Sequence, residues 1–266
     1  MVALPFLRTP LSPAAIAVGA MAPDLPLFLR GTPLNYQLTH SFAWIPVTVM
    51  VAWMLLVLWR TVLRPAVREL SPAWLATRLP AGWDDGATAG IRESFAVRGS
   101  ARPSLAGAAM VAVSLTIGVL SHLLWDPFTH VGRWGTQLLP VLAQMWGPLP
   151  GYTWLQHGSS MFGLAVLAIF GCRWLRRQTP ISLTRVLPAW PRWLWWFSMP
   201  AVLIGGLAVG LVFWGALSTS FTFAHLAYRI LPPLCAMWGV ATTSVAVAIQ
   251  VARATNIRQH PRNIQE

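Results

Sequence analysis

The run Ser121-His122-Leu123-Leu124-Trp125-Asp126-Pro127-Phe128-Thr129-His130 spaces two imidazoles and a carboxylate at intervals of four residues. His and Asp four apart share a helical face, so His122 and Asp126 can reach one metal ion or one proton path. Pro127 lacks a backbone donor and disfavours further helix through Asp126, which puts His130 after a kink or on a new turn. Neutral imidazole and carboxylate are the ligand set of zinc and other divalent first-row metals. The same His122 and Asp126 could instead satisfy each other as a hydrogen-bonded pair in a helix bundle. Asp24 is a lone acid in the apolar run Met21-Ala22-Pro23-Asp24-Leu25-Pro26. Burying such a carboxylate is costly without a partner, so it either meets a histidine or stands in interfacial water. His40 is followed by Ser41, a ligand type next to a helix-capping type. His157 reads as a packed polar residue or an acid–base group. His225 has no acid nearby and reads as structural, and Tyr36 and Arg30 are at most rim residues.

The elements that must position these groups are membrane helices. Of 266 residues, 56% are hydrophobic and only 10% are charged, against about 25% charged in a soluble domain. Five stretches are apolar enough to span: Phe42–Trp59, ending at Arg60; the segment between Arg102 and Asp126; Tyr152–Cys172; from the Trp193–Trp196 cluster to about Leu217; and Ile230–Ala252. The expected fold is an all-α polytopic bundle of five transmembrane helices plus a short N-terminal re-entrant or interfacial helix between Arg8 and Asp24. It forms one integral membrane domain over 1–266, with a polar, flexible Arg-rich loop over about 60–103. Gln137–Gly147 is expected as a half-helix at the surface, ending in the turn chemistry of Gly147-Pro148-Leu149-Pro150-Gly151. Cys172 and Cys235 lie in apolar stretches and imply no disulfide framework or Cys-based zinc site.

The net charge of +12 comes from nineteen Arg and no Lys. Fifteen of the Arg fall in the 60–102 loop, the loop between spans three and four, and the tail with Arg253, Arg258 and Arg262. An odd number of spans puts those three regions on one side, so the positive-inside rule predicts a cytoplasmic C-terminus. The basic charge is then topology, and no nucleic-acid partner is implied; membrane lipids are the expected surroundings. The same topology puts His40, His122, Asp126, His130, His157 and His225 at the outer end of the bundle, with only His260 in the tail. A polar layer at one end, an odd span count and no internal repeat argue against a transporter.

Four motifs in order, Gly19–Leu29 (GAMAPDLPLFL), Thr39–Phe42 (THSF), Ser121–His130 (SHLLWDPFTH) and Tyr152–Ser160 (YTWLQHGSS), closely resemble a bacterial multi-pass membrane family known as domain of unknown function 4184. The resemblance covers most of the chain to about Trp174 and, more loosely, the remaining spans. That family has no established activity. More distantly, the PD, THS and HxxxDxxxH series is similar to predicted membrane-bound metal-dependent hydrolases and to the zinc-dependent phospholipase C group. The resemblance implies Asp24, His40, His122, Asp126 and His130 as ligands of a divalent metal, with zinc expected. It implies Asp126 and His157 in catalytic roles, His157 as a further ligand or a proton donor. Family members usually carry a Thr-Pro-Ser-His stretch just upstream of the segment that here reads Ala3-Leu4-Pro5-Phe6, so the frame before Met1 is expected to encode Ser-His.

Two functions follow as expectations. One is a metal-dependent phosphoester hydrolase at the outer membrane face, acting on a lipid-linked substrate. The other is a non-enzymatic membrane protein whose His/Asp layer is a hydrogen-bond network or a structural metal site. The five ligand residues are expected to converge in one polar pocket. Substrate, metal identity and oligomeric state are not readable from the sequence.

Overall fold

The computed structural model describes residues 1–100 and 102–259, so that His260 and Arg262 lie outside the described residues. Helix accounts for 74% of the structure. Among the described residues, five helical stretches are long and apolar enough to cross a membrane: Phe42–Leu70, Leu105–Phe128, Gly151–Arg176, Ala189–Trp214 and Phe223–Thr255. Their outward faces are apolar, with Val212 83% and Phe213 79% exposed, which is how helices meet lipid rather than water. The individual helices are α1 (Pro13–Met21), α2 (Ile45–Leu58), α3 (Arg64–Leu70), α4 (Leu105–Trp125), α5 (Gly151–Arg176), α6 (Ala189–Trp214) and α7 (Phe223–Gln259).

Two expectations need correction. The first span does not end at Arg60, because a π-helical turn over Trp59–Leu63 carries α2 on into α3. The following segment is ordered, with helical turns at Ala73–Ala76, Ala81–Asp84 and Gly86–Glu93. The reason is that Arg60, Arg64 and Arg68, four apart on one helical face, are buried rather than solvated. Residues 137–147 are likewise no half-helix. Pro140 interrupts them, leaving short turns at Trp134–Leu138 and Pro140–Ala143 and a hairpin pairing Met145–Trp146 with Leu149–Pro150. Gly147 makes that turn at φ 77°, a conformation that suits glycine.

The chain forms two compact units, Met1–Asp24, Asn35–Leu56 and Arg92–Gln178 in one, Leu25–Leu34, Val57–Ile91 and Thr179–Glu266 in the other. In the first, Ser12 caps α1 through its hydroxyl, 3.3 Å from the Ala15 amide. Nine residues cannot span a bilayer, and α1 instead lies along α4. A Cβ on Gly19 would run into the Leu115 carbonyl, and one on Gly118 into that of Ile16. Small residues are what allow two helix backbones this close. Ala15, Ile16, Val111, Leu115 and Val119 fill the contact. Ser41 begins the first span, but its hydroxyl makes no capping bond.

In the second unit α6 and α7 run antiparallel. The Trp195 indole donates to Thr242 (3.1 Å), the Trp238 indole to Ser198 (2.9 Å), and Gly206 and Gly210 admit Leu234 and Ile230. At the end of α3, Glu69 is fully buried. Its carboxylate accepts from the amides of Val186 (3.2 Å) and Leu187 (3.1 Å) and faces Arg192 (3.7 Å) and Arg253 (3.6 Å).

Candidate metal centre

Three side chains in the first unit meet at their ligand atoms. The Nε2 atoms of His40 and His122 lie 3.2 Å apart, and Asp24 Oδ1 lies 3.5 Å from the first and 3.6 Å from the second. Among the described residues this is the one His/Cys/Asp/Glu group of three or more with metal-binding geometry. Ligands about 2.0–2.1 Å from a tetrahedral ion stand roughly 3.3 Å apart. An octahedral magnesium-type site would bring neighbours to roughly 2.9–3.0 Å.

Each member arrives for a traceable reason. Beyond α1, Pro23 cannot extend the helical hydrogen bonding, and the chain turns at Ala22–Asp24 to present Asp24. His40 ends a short helix, Tyr36–Thr39, capped by Asn35 through a 2.7 Å bond to the Gln37 amide. Thr39, which is buried, donates its hydroxyl to the Pro23 carbonyl (2.8 Å), tying the His40 turn to the Asp24 turn. His122 stands one helical turn beyond Gly118 on α4. The close approach of Gly19 to α4 thus brings the neighbouring Ala20 carbonyl within 2.9 Å of His122 Nδ1.

These backbone bonds decide which nitrogen is free. A ring nitrogen facing a carbonyl must carry the proton, and Nδ1 of His40 faces the Tyr36 carbonyl at 2.9 Å just as His122 Nδ1 faces Ala20. In the neutral rings both Nε2 atoms are then lone pairs, turned toward each other and toward a carboxylate oxygen. Such an arrangement needs a cation, either a metal or a shared proton. Fixing Nδ1 on a carbonyl is also the usual support of a metal-bound histidine. The Tyr36 ring stacks on His40, centroids 3.8 Å apart. The His40 side chain is 4% exposed, His122 16% and Asp24 41%, so the group opens at the carboxylate.

Asp126 and His130 make a pair of their own. The helix tightens at Asp126–Phe128, and Asp126 Oδ1 lies 3.0 Å from His130 Nδ1, not against His122. A Cβ on Gly135 would crowd the Pro127–Phe128 backbone, which packs the Trp134–Leu138 turn against this bend. The hydrogen bond to Asp126 holds the His130 imidazole above its ordinary pKa, although partial burial opposes this. Asp126 stands one helical turn beyond His122 at the end of α4, so the pair adjoins the triangle. Gln156, at the start of α5, brings its amide 3.4 Å from His130 Nε2. The next residue, His157, is exposed. His225 belongs to the second unit, where its Nδ1 accepts from the Thr222 amide at 3.2 Å.

Residues 1–257 match the model of the family described as domain of unknown function (DUF4184). The chain belongs to that family. No curated protein and no solved structure is significantly similar to it. The functional reading therefore rests on the site itself. Sequence reasoning missed the carbonyls of Ala20 and Tyr36 and the amide of Gln156. Of their signals only the Tyr36–His40 spacing of four is visible in the sequence, since a carbonyl has no sequence signature.

Proposed function

We propose that this is a metal-dependent hydrolase of the bacterial inner membrane, cleaving a lipid-linked phosphoester at the outer membrane–water boundary. The observation that carries this reading is the triangle of Asp24 Oδ1, His40 Nε2 and His122 Nε2, with edges of 3.5, 3.6 and 3.2 Å. Three protein ligands and an open fourth position are the pattern of catalytic zinc, whereas structural zinc sites are closed by four. The exposed flank of Asp24 is where water and substrate would enter. A divalent ion held there, zinc by donor set, would supply Lewis acidity and lower the pKa of its water toward about 7.

The chain's own groups do the rest. The carbonyls of Tyr36 and Ala20 orient the two rings, and Thr39 locks the turns that carry Asp24 and His40. By bonding His130 Nδ1, Asp126 favours the imidazolium form, whose Nε2–H would be the proton given to a leaving alkoxide, in preference to the exposed His157. The helices' apolar flanks suit a substrate arriving from the bilayer. The fifteen Arg in three regions support a cytoplasmic C-terminus and hence an outward-facing site.

The test is release of inorganic phosphate from lipid-linked phosphoesters by the reconstituted protein. Turnover should require added zinc and disappear with chelator or in His122→Ala. Zinc-loaded protein that turns over no phosphoester would remove the reaction while leaving the metal site. The non-enzymatic reading draws on the same 3.2 Å contact, because one shared proton also satisfies two facing lone pairs. Protein that folds fully and binds no metal would favour it.

A further inference from the structure

Four Arg lie outside the three Arg-rich regions, and the positive-inside rule does not explain them: Arg8, Arg30, Arg133 and Arg229. Arg30 and Arg229 have local employment in the second unit. Arg30 bonds the Tyr228 carbonyl and stacks on the Tyr228 ring, and Arg229 lies over Trp214 and Phe221. Arg133 belongs to the first unit, in the connection between α4 and α5. Its guanidinium carbon lies 5.8 Å from the centre of the Tyr36 ring, the ring that stacks on His40. Arg133 follows His130 by three residues in the same connection. It is half-buried, and among the described residues it forms no ion pair.

An unpaired guanidinium beside the ring that stacks on His40 has a definite chemistry. Its planar fork matches the non-bridging oxygens of a phosphate bidentately. It also places a positive charge where negative charge grows during phosphoryl transfer. Stacking over an aromatic ring steers the fork without using up its N–H donors. A neutral carboxylic ester offers no such pair of anionic oxygens. We infer that Arg133 is the specificity-determining residue of the Asp24/His40/His122 site, recognising the anionic oxygens of a phosphoester and selecting it over neutral esters. This rests on the hydrolase reading above and gives it a substrate-recognising group.

The experiment titrates inorganic phosphate into zinc-loaded, detergent-purified protein by calorimetry, after the zinc content of each variant has been measured. Arg133→Ala should hold as much zinc as wild type and bind phosphate at least tenfold more weakly. Arg133→Lys, which keeps the charge and loses the fork, should fall between the two. Equal phosphate affinity in wild type and Arg133→Ala, or no phosphate binding by zinc-loaded wild type, overturns the assignment while leaving the metal site standing. Wild-type protein that takes up no zinc breaks the metal site first, and the Arg133 assignment falls with it.

Discussion

Glu69 and Asp24 are both carboxylates in apolar helical surroundings, and the two units treat them in opposite ways. Glu69 is fully buried, with two amides and two guanidiniums around it. Its charge is compensated and its lone pairs are used, leaving nothing for a ligand. Asp24 is 41% exposed and faces two imidazoles whose Nδ1 protons are already committed to backbone. Three Lewis-basic atoms converge, and the cation they need is a metal ion or a shared proton rather than a side chain. The first arrangement is a clip that joins α3 to the segments before α6 and at the end of α7. The second has the form of a receptor. A buried charge surrounded by its own counter-ions argues for architecture; a buried set of lone pairs without one argues for a ligand.

The largest effect that would break this contrast is at Glu69. Replacing it by Ala removes the counter-ion of Arg192, leaves Arg253 with Asp84 alone (3.1 Å) and unpairs the Val186 and Leu187 amides; removing one partner of a buried pair costs about 3–5 kcal/mol. Thermal unfolding in detergent should show Glu69→Ala folding poorly or melting far below wild type, with Glu69→Gln between them. A wild-type melting curve for Glu69→Ala would show that the clip carries no structure.

The next effect belongs to the receptor. A ligand that binds only the folded state stabilises by about 2.7 kcal/mol at a hundred times its Kd. Zinc should therefore raise the melting temperature of wild type and of Glu69→Gln, and leave that of His40→Ala unmoved. An equal zinc shift in His40→Ala would place the ion elsewhere.

Smaller again is the effect of the helix contact that aims His122. Gly118→Leu inserts a side chain where a Cβ already meets the Ile16 carbonyl, and such overpacking costs about 1–3 kcal/mol. Because α1 must shift, the Ala20 carbonyl leaves His122 Nδ1. Zinc affinity should drop about 10–100-fold, the range for lost supporting bonds. Unchanged affinity in a folded Gly118→Leu protein would show that the helix contact does not position the ring.

The smallest effect is electrostatic. Hydrogen bonding to Asp126 raises the His130 pKa above 6.5. The folded state thus holds the proton more tightly than the unfolded one. Its stabilising contribution is complete below about pH 6.5 and is lost as pH rises through the folded pKa. With the His130 side chain 41% exposed, solvent screening keeps this contribution small. The gap in melting temperature between wild type and His130→Gln should be wider at acid pH than at alkaline pH. A gap that widens with rising pH would reverse the sign and refute the pairing.

How much of this was legible in the sequence depended on the range of the interaction. Five spans and the short helix before Asp24 could be read because composition and length alone decide them. The continuation of the first span through Arg60 to Leu70 could not. Arginine reads as a helix-ending, solvated residue until its distant partners are known, as Asp84 and Ser182 are for Arg68. The site divided along the same line. Topology put His40 and His122 in one layer and the family resemblance added Asp24 to their ligand set, and the three meet. The pairing of Asp126 with His130 turned on a local tightening at Pro127, where a regular helix would have aimed Asp126 beside His122. The ring orientations depend on Ala20 and Tyr36 carbonyls, and nothing in a side-chain pattern announces those.

The central claim is that Asp24, His40 and His122 form a receptor for one metal ion, and its most direct test is metal stoichiometry. Wild type and single Ala variants would be purified in detergent, equilibrated with zinc, freed of unbound metal and analysed for zinc per chain. The account predicts one zinc per wild-type chain, near-complete loss in Asp24→Ala, His40→Ala and His122→Ala, and retention in His157→Ala and Arg133→Ala. Wild type without zinc, or equal zinc in wild type and His40→Ala, would contradict it.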